Sequence, residues 1–170
     1  MNQRCDELQL LNFIDRYIYI VEYITIMVKE GEKAPTFKCL DDKGKERTLQ
    51  EFKDRILVLF FYPKDETAIC TKEACTFRDR YEDFVKEGAD VIGVSEDNQD
   101  SHQRFSSKHR LPFTLLTDQD GQLAKSYGVE KEAFIFKGRT TFIIGPEGKI
   151  ACKYSSQLNY NAHVETALEY

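Results

Sequence analysis

Uninterrupted apolar runs alternate with polar segments along this chain, and the alternation predicts a series of buried strands. Residues 56–62 read ILVLFFY, between charged residues and Pro63, as is typical of a strand that is buried on both faces. Residues 91–95 and 113–116 are shorter runs of the same kind. Such strands belong in the middle of a sheet that helices cover on both sides.

Helical spacing fills the gaps between these strands. After Thr67, apolar residues recur every three or four positions as far as Val85, and Gly88 predicts the end of one long helix. Further helices are expected at 98–109, 121–127 and 161–169.

Turn residues predict two hairpins, one at each end of this pattern. A small hairpin is expected within residues 31–55, around the turn at 42–44, and a second one joins 140–144 to 149–154. The order βαβ followed by ββα predicts an α/β protein that resembles the thioredoxin-like fold, with a central mixed β-sheet flanked by helices.

The first 26 residues stand apart from this pattern. Residues 8–28 are largely apolar, but Asp15, Arg16 and Glu22 interrupt them, and buried charges are costly in a membrane. We therefore predict an appended helix or strand of unknown role at 1–26 rather than a membrane span or a signal peptide. Met27 begins a segment, 27–170, that would make a complete domain by itself.

Composition and charge narrow the class of protein. The 170 residues are 41% hydrophobic and 31% charged, as in an ordinary one-domain globular protein, and the net charge of −5 argues against a nucleic-acid binder. Five cysteines with no CxxC spacing do not resemble a secreted disulfide framework. They indicate a reducing compartment, the cytoplasm or another.

Cys70 stands where a cysteine is most easily activated. It follows the strand at 56–62, and it would be the third helical residue if Thr67 is the N-cap. Free amides at a helix start and cationic neighbours favour a thiolate, which is the nucleophilic form of cysteine. Arg139, just before the strand at 140–144, is the candidate cation.

The other chemistry-bearing residues receive ordinary structural explanations. Cys39 and Cys152 lie inside predicted strands and are expected to be inert core residues, and no role is assigned to Cys5. Zinc is disfavoured at Cys70 and Cys75 because no second ligand pair exists.

The histidines and one acidic pair are interpreted in the same way. His102 and His109 are predicted on a solvated helix face, and His163 has no ligand spacing. Asp118 and Asp120 are expected to form a turn with Gly121.

The residues around Cys70 resemble those of a known family. Pro63, Thr67 and Cys70 match the peroxiredoxin active-site pattern, and FYPKDETAICTKEACTFRDRYEDF resembles the bacterioferritin comigratory protein/peroxiredoxin Q subfamily. Residues 28–37 and 138–144 are similar to its opening segment and its arginine-bearing strand, so the resemblance extends over 27–170.

The resemblance implies a thioredoxin-dependent peroxidase. Cys70 would be the peroxidatic cysteine and Cys75 the resolving cysteine, while Thr67 would bind the peroxide, Arg139 would stabilise the thiolate and Pro63 would shield the pocket. Hydrogen peroxide or an alkyl hydroperoxide would be the substrate, and a thioredoxin-like dithiol the reductant. No metal, flavin or haem is implied. We expect a monomer or weak homodimer with no nucleic-acid or membrane partner.

The chain departs from the subfamily at Ala68 and Ile69, where Pro-Gly is usual. The loss of proline and glycine changes the backbone freedom of the loop, and a branched side chain beside Cys70 narrows access. A general disulfide oxidoreductase, or a redox sensor or partner-binding module with weak peroxidase activity, is therefore kept as an alternative.

The spacing of Cys70 and Cys75 has a geometric consequence. On one ideal helix their Cα atoms would be roughly 8–9 Å apart, whereas a disulfide usually requires about 4.4–6.8 Å. A bond between them therefore predicts local unwinding of the helix.

Overall fold

The computed structural model describes residues 28–129 and 138–170, and within them seven strands form one sheet. The predicted extension at 1–26 and the domain start at Met27 lie outside the described residues. The strands are β1 (Lys38–Asp41), β2 (Glu46–Thr48), β3 (Ile56–Phe61), β4 (Ala89–Ser95), β5 (Thr114–Thr117), β6 (Thr140–Ile144) and β7 (Ile150–Ser155). The helices are α1 (Ala68–Asp79), α2 (Tyr81–Lys86), α3 (Gln99–His109), α4 (Gln122–Ser126) and α5 (Tyr160–Glu169), with a 3₁₀ helix at Leu49–Phe52.

The sheet is mixed, in the order β2-β1-β5-β4-β3-β6-β7. Its centre is parallel, since β4 pairs with both β3 and β5 in that sense, and the remaining pairs are antiparallel. This confirms the predicted central mixed sheet and both hairpins. None of the helices in the described ranges combines the length and apolar character that crossing a membrane requires.

Strand β3 supplies the middle of the core on both faces of the sheet. Val58 and Phe60 pack on the side of α1, α2, α3 and α5, while Leu57, Leu59 and Phe61 pack on the side of α4 and the 3₁₀ helix. The continuous apolar run was predicted to be a strand buried on both faces, and these five side chains are 3% exposed or less.

The single long helix predicted after Thr67 is two helices. Helix α1 stops at Asp79, and Arg80 adopts φ −104° and ψ 8°, so α2 starts in a new direction. Val85, assigned to the apolar face, is 55% exposed, and Gly88 ends α2 with φ +71°. The apolar spacing continues across the break because both helices cover the same side of the sheet, and spacing alone does not reveal the break.

Strand pairing explains why residues distant in sequence meet beyond the end of β3. Phe61, the last residue of β3, is opposite Thr140, the first residue of antiparallel β6. The chain leaving β3 and the chain entering β6 therefore lie at the same edge of the sheet, the one formed by the carboxyl ends of the parallel strands β3, β4 and β5. Sites in open sheets of this kind are usually found at that edge.

A buried polar cluster ties the loop after β3 to helix α3. Asp65 accepts hydrogen bonds from the Tyr62 hydroxyl (2.7 Å) and the Ser101 hydroxyl (2.8 Å), and Nδ1 of His102 lies 2.9 Å from its carboxylate. Nε2 of His102 lies 3.2 Å from the carbonyl oxygen of Leu116. Both ring nitrogens of His102 therefore lie within hydrogen-bond distance of an oxygen atom.

The prediction that His102 lies on a solvated helix face is therefore wrong, because its side chain is fully buried. His109, predicted on the same face, is only 17% exposed. Burial raises the pKa of Asp65, but the hydrogen bond and charge of His102, with the Tyr62 and Ser101 hydroxyls, outweigh it, so the net shift is downward. The loop before Cys70 is thus anchored by charge-assisted hydrogen bonds.

We predict that Asp65→Asn lowers the free energy of unfolding by about 3 kcal/mol at pH 7, because it removes a buried carboxylate that Tyr62, Ser101 and His102 contact. Urea unfolding of the reduced protein measures this loss. The pKa of Asp65 in the folded protein lies below its ordinary value of 3.8, so the carboxylate stabilises the fold fully above that pH. The stability difference between wild type and Asp65→Asn should therefore shrink as the pH falls below 3.8.

The matched control is Asp83→Asn, which removes an exposed carboxylate paired with Arg80. Its free energy of unfolding should stay close to that of the wild type, because exposed ion pairs contribute little to stability. Equal losses in the two variants would contradict the anchoring role of the buried Asp65 carboxylate.

Candidate active site

Cys70 lies in the first turn of α1, directly beyond the end of β3. Thr67 is the N-cap residue, with extended φ −77° and ψ 149°, so Cys70 is the third helical residue, as predicted. The thiol is buried, with 2% of the residue exposed. The side chain of Thr67 caps no amide of the helix; its hydroxyl donates to the Lys64 carbonyl oxygen at 3.1 Å.

Arg139 places its guanidinium beside the Cys70 sulfur. Nη2 donates to Sγ of Cys70 at 3.1 Å, Nη1 donates to the carboxylate of Glu73, and Nε donates to the Gln157 carbonyl oxygen at 3.3 Å. The residue is 3% exposed. The β3–β6 pairing is what brings this cation, predicted from its place before a strand, to the thiol.

Glu73 completes the site, and sequence reasoning missed it. It is fully buried one turn after Cys70, where two side chains three positions apart share one face of a helix. Burial raises the pKa of Glu73 to about 8, while the charge and hydrogen bond of Arg139 act in the opposite direction. Burial therefore disfavours the charged form of Glu73, which lessens how far this carboxyl group offsets the charge of Arg139 at the sulfur.

His163, on helix α5, stands behind Glu73. Its Nε2 donates to the Ser156 carbonyl oxygen at 2.9 Å, and its Nδ1 lies 2.8 Å from the Thr141 hydroxyl and 3.7 Å from Oε1 of Glu73. Burial lowers the pKa of His163 to about 4, so the ring is neutral and adds no second cation.

Pro63 and Thr67 lie at the surface side of this site. Pro63 is half-buried in the loop after β3, and Thr67 is exposed. Of the two residues that depart from the family pattern, Ala68 is exposed and Ile69 is half-buried. Their roles toward a peroxide stay predictions.

Cys75 lies on the same continuous helix as Cys70, and both are free thiols. Cys75 is half-buried on the side of α1 that faces α3. The premise of the unwinding prediction, an intact helix through both cysteines, is thereby confirmed for the reduced protein.

The two strand cysteines lie outside this site. Cys39, in β1, has its pKa raised to about 11, first by burial and then by Asp118 and Asp120. Cys152, in β7, has a raised pKa from burial and from Glu30. A raised thiol pKa disfavours the nucleophilic form, in keeping with the structural role predicted for both.

The chain is similar to known proteins over most of its length. Residues 30–153 match the AhpC/TSA family. A chloroplastic peroxiredoxin Q of Populus jackii is 41% identical over 143 residues, which cover 84% of this chain and 67% of the relative.

Solved structures resemble it as well. Peroxidoxin BcpB from Mycobacterium tuberculosis superimposes with a TM-score of 0.79 at 34% identity, covering 84% of this chain and 95% of that one. The Xanthomonas campestris bacterioferritin comigratory protein, described for its alkyl peroxide reduction activity, has a TM-score of 0.77 at 30% identity, covering 83% and 96%. The fold is therefore thioredoxin-like, and the chain belongs to the AhpC/TSA family and, within it, to the peroxiredoxin Q and bacterioferritin comigratory protein group of thiol peroxidases.

Proposed function

We propose that this chain reduces hydrogen peroxide and alkyl hydroperoxides with Cys70 as the peroxidatic cysteine, Cys75 as the resolving cysteine, and thioredoxin or a similar dithiol as the reductant. The contact that carries the proposal is the 3.1 Å hydrogen bond from Arg139 to the Cys70 sulfur. A reducing compartment, in which both cysteines are returned to thiols, is part of the proposal.

In the first step the Cys70 thiolate attacks one oxygen of the peroxide. A sulfur–oxygen bond forms, the O–O bond breaks, and water or an alcohol leaves after taking up a proton, so that Cys70 becomes a sulfenic acid. Arg139 is buried against the sulfur and has donors left over for the oxygens, where negative charge develops. Pro63 and Thr67 are proposed to form the entrance, with the Thr67 hydroxyl contacting the peroxide.

In the second step the Cys75 thiol condenses with the sulfenic acid. The S–S bond forms, the S–O bond of Cys70 breaks, and water leaves. The dithiol reductant then opens the disulfide by exchange and is itself oxidised.

The second step cannot occur while helix α1 is intact. Cys70 and Cys75 both belong to α1, and an ideal helix would keep their Cα atoms roughly 8–9 Å apart. Unwinding must also break the contacts of Arg139 with Cys70 and with Glu73. We propose that the first turns of α1 melt once in every catalytic cycle.

Thioredoxin-coupled peroxide consumption tests the proposal through two cysteine variants. We expect Cys70→Ser to lose all measurable turnover, because no nucleophile remains. Cys75→Ser should react once with peroxide and then stop, because its sulfenic acid has lost the proposed resolving thiol. Cys152→Ser is the matched control and should retain wild-type turnover. Full activity in Cys70→Ser would overturn the mechanism, and full thioredoxin-dependent turnover in Cys75→Ser would remove Cys75 from its role.

Amide hydrogen exchange tests the unwinding. Amides of residues 68–78 should exchange at least about tenfold faster in the disulfide form than in the reduced form, because melted turns lose their protecting hydrogen bonds. The buried amides of 57–61 in β3 serve as the internal control and should not change. Near-identical exchange of 68–78 in the two forms would contradict the proposal.

A further inference from the structure

Cys75 has its own polar surroundings, which are separate from those of Cys70. Nδ1 of His109, the last residue of α3, lies 3.9 Å from the Cys75 sulfur, within the range of a hydrogen bond to sulfur. The imidazole ring meets Phe105 edge to face, with 4.9 Å between ring centres, which limits its rotation. The packing of α1 against α3 therefore holds the Cys75 thiol next to the His109 imidazole.

The other nitrogen of this imidazole faces a carboxylate. Nε2 of His109 lies 3.6 Å from Oε2 of Glu66, and the same oxygen accepts a hydrogen bond from Lys108 at 2.6 Å. These partners lower the pKa of Glu66, with the hydrogen bond from Lys108 first. Glu66 holds its position with a left-handed φ of 59°, unusual for a side chain of this kind. The imidazole of His109 thus lies between the Cys75 thiol and the Glu66 carboxylate.

Arg78 adds a permanent cation to the same surroundings. Its guanidinium donates to the His109 carbonyl oxygen at 2.8 Å. The pKa of Arg78 is raised, first by its hydrogen bond to Asp79 and further by its interaction with Cys75. The charged groups that face Cys75 and His109 are accordingly Arg78 from α1, Glu66 from the preceding loop and Lys108 from α3.

We propose that His109 is the general base that activates Cys75 in the second step, with Glu66 orienting the imidazole and Arg78 stabilising the thiolate. His109 accepts the Cys75 proton, and the thiolate attacks the sulfur of the Cys70 sulfenic acid. The S–S bond forms, the S–O bond breaks with its electron pair on oxygen, and the leaving hydroxide takes a proton from the imidazolium to become water. The inference rests on the proposed role of Cys75.

The contacts with α3 also indicate which of the two cysteines moves when α1 unwinds. Arg78 and His109 fasten the second half of α1 to α3, while Glu66 and Asp65 fasten the loop before α1 to the same helix. The turns between these anchors carry Cys70. Unwinding there brings Cys70 to an already activated Cys75.

The test follows single turnover of His109→Gln. Reduced protein is mixed with one equivalent of hydrogen peroxide and quenched at intervals, and sulfenic acid and disulfide are quantified by trapping and mass spectrometry from pH 5.5 to 8.5. We expect sulfenic acid to form at the wild-type rate, while disulfide formation slows about 100-fold at pH 7. The pH profile of disulfide formation should differ between the two proteins, because the variant lacks the base and its rate should rise with hydroxide concentration.

Two further variants separate chemistry from damage to the fold. Arg104→Gln removes an exposed charge from the same helix and should behave as wild type. Glu66→Gln keeps the imidazole and should slow disulfide formation by a smaller factor than His109→Gln, with an altered pH profile.

Unchanged disulfide kinetics and an unchanged pH profile in His109→Gln would overturn the role of His109 alone. Two other results would overturn the proposed function and this inference with it. One is a wild-type protein that forms no sulfenic acid, and the other is a Cys75→Ser variant that forms a disulfide as fast as the wild type.

Discussion

The guanidinium of Arg139 is the interaction on which the described site depends. It is buried, and it contacts both the Cys70 sulfur and the Glu73 carboxyl group. Burying a charge is costly unless polar groups contact it, and the fold brings this cation and its partners together from three parts of the chain. Helix α1 presents the thiol and the carboxyl group on one face, the β3–β6 pairing delivers Arg139, and the segment before α5 supplies the Gln157 carbonyl. Burial raises the pKa of Glu73 while Arg139 acts in the opposite direction, and the guanidinium is shared between this carboxyl group and the sulfur.

Two anchors frame the part of α1 that unwinds in the proposed mechanism. The buried pair of Asp65 with His102 holds the loop that enters the helix, and the contacts of Cys75 and Arg78 with His109 hold its second half. Between them, one turn carries both the reactive thiol and its carboxyl neighbour. In the proposed mechanism, these anchors let Cys70 keep its contact with Arg139 in the intact helix and still reach Cys75 when the turn between them unwinds.

Local patterns predicted much of this arrangement, and long-range contacts account for what they missed. The apolar run of β3 and the turn residues of the hairpins suffice to predict the sheet, and the position of a thiol three residues after the N-cap residue is visible in the sequence. His102 looked solvated because its neighbours on the helix are polar; its partner Asp65 lies on a distant loop. Glu73 was overlooked because its burial depends on α5 packing against α1, and the break at Arg80 leaves the apolar spacing unchanged.

The second-order rate constant of sulfenic acid formation in Arg139→Lys, measured with limiting hydrogen peroxide, tests the central claim most directly. Lysine keeps the positive charge but cannot contact the Cys70 sulfur, Glu73 and a carbonyl oxygen together. We predict a fall of about 100-fold or more relative to wild type, with the fold intact by circular dichroism. A rate constant within about threefold of wild type would contradict the claim that the shared guanidinium, rather than positive charge alone, activates Cys70.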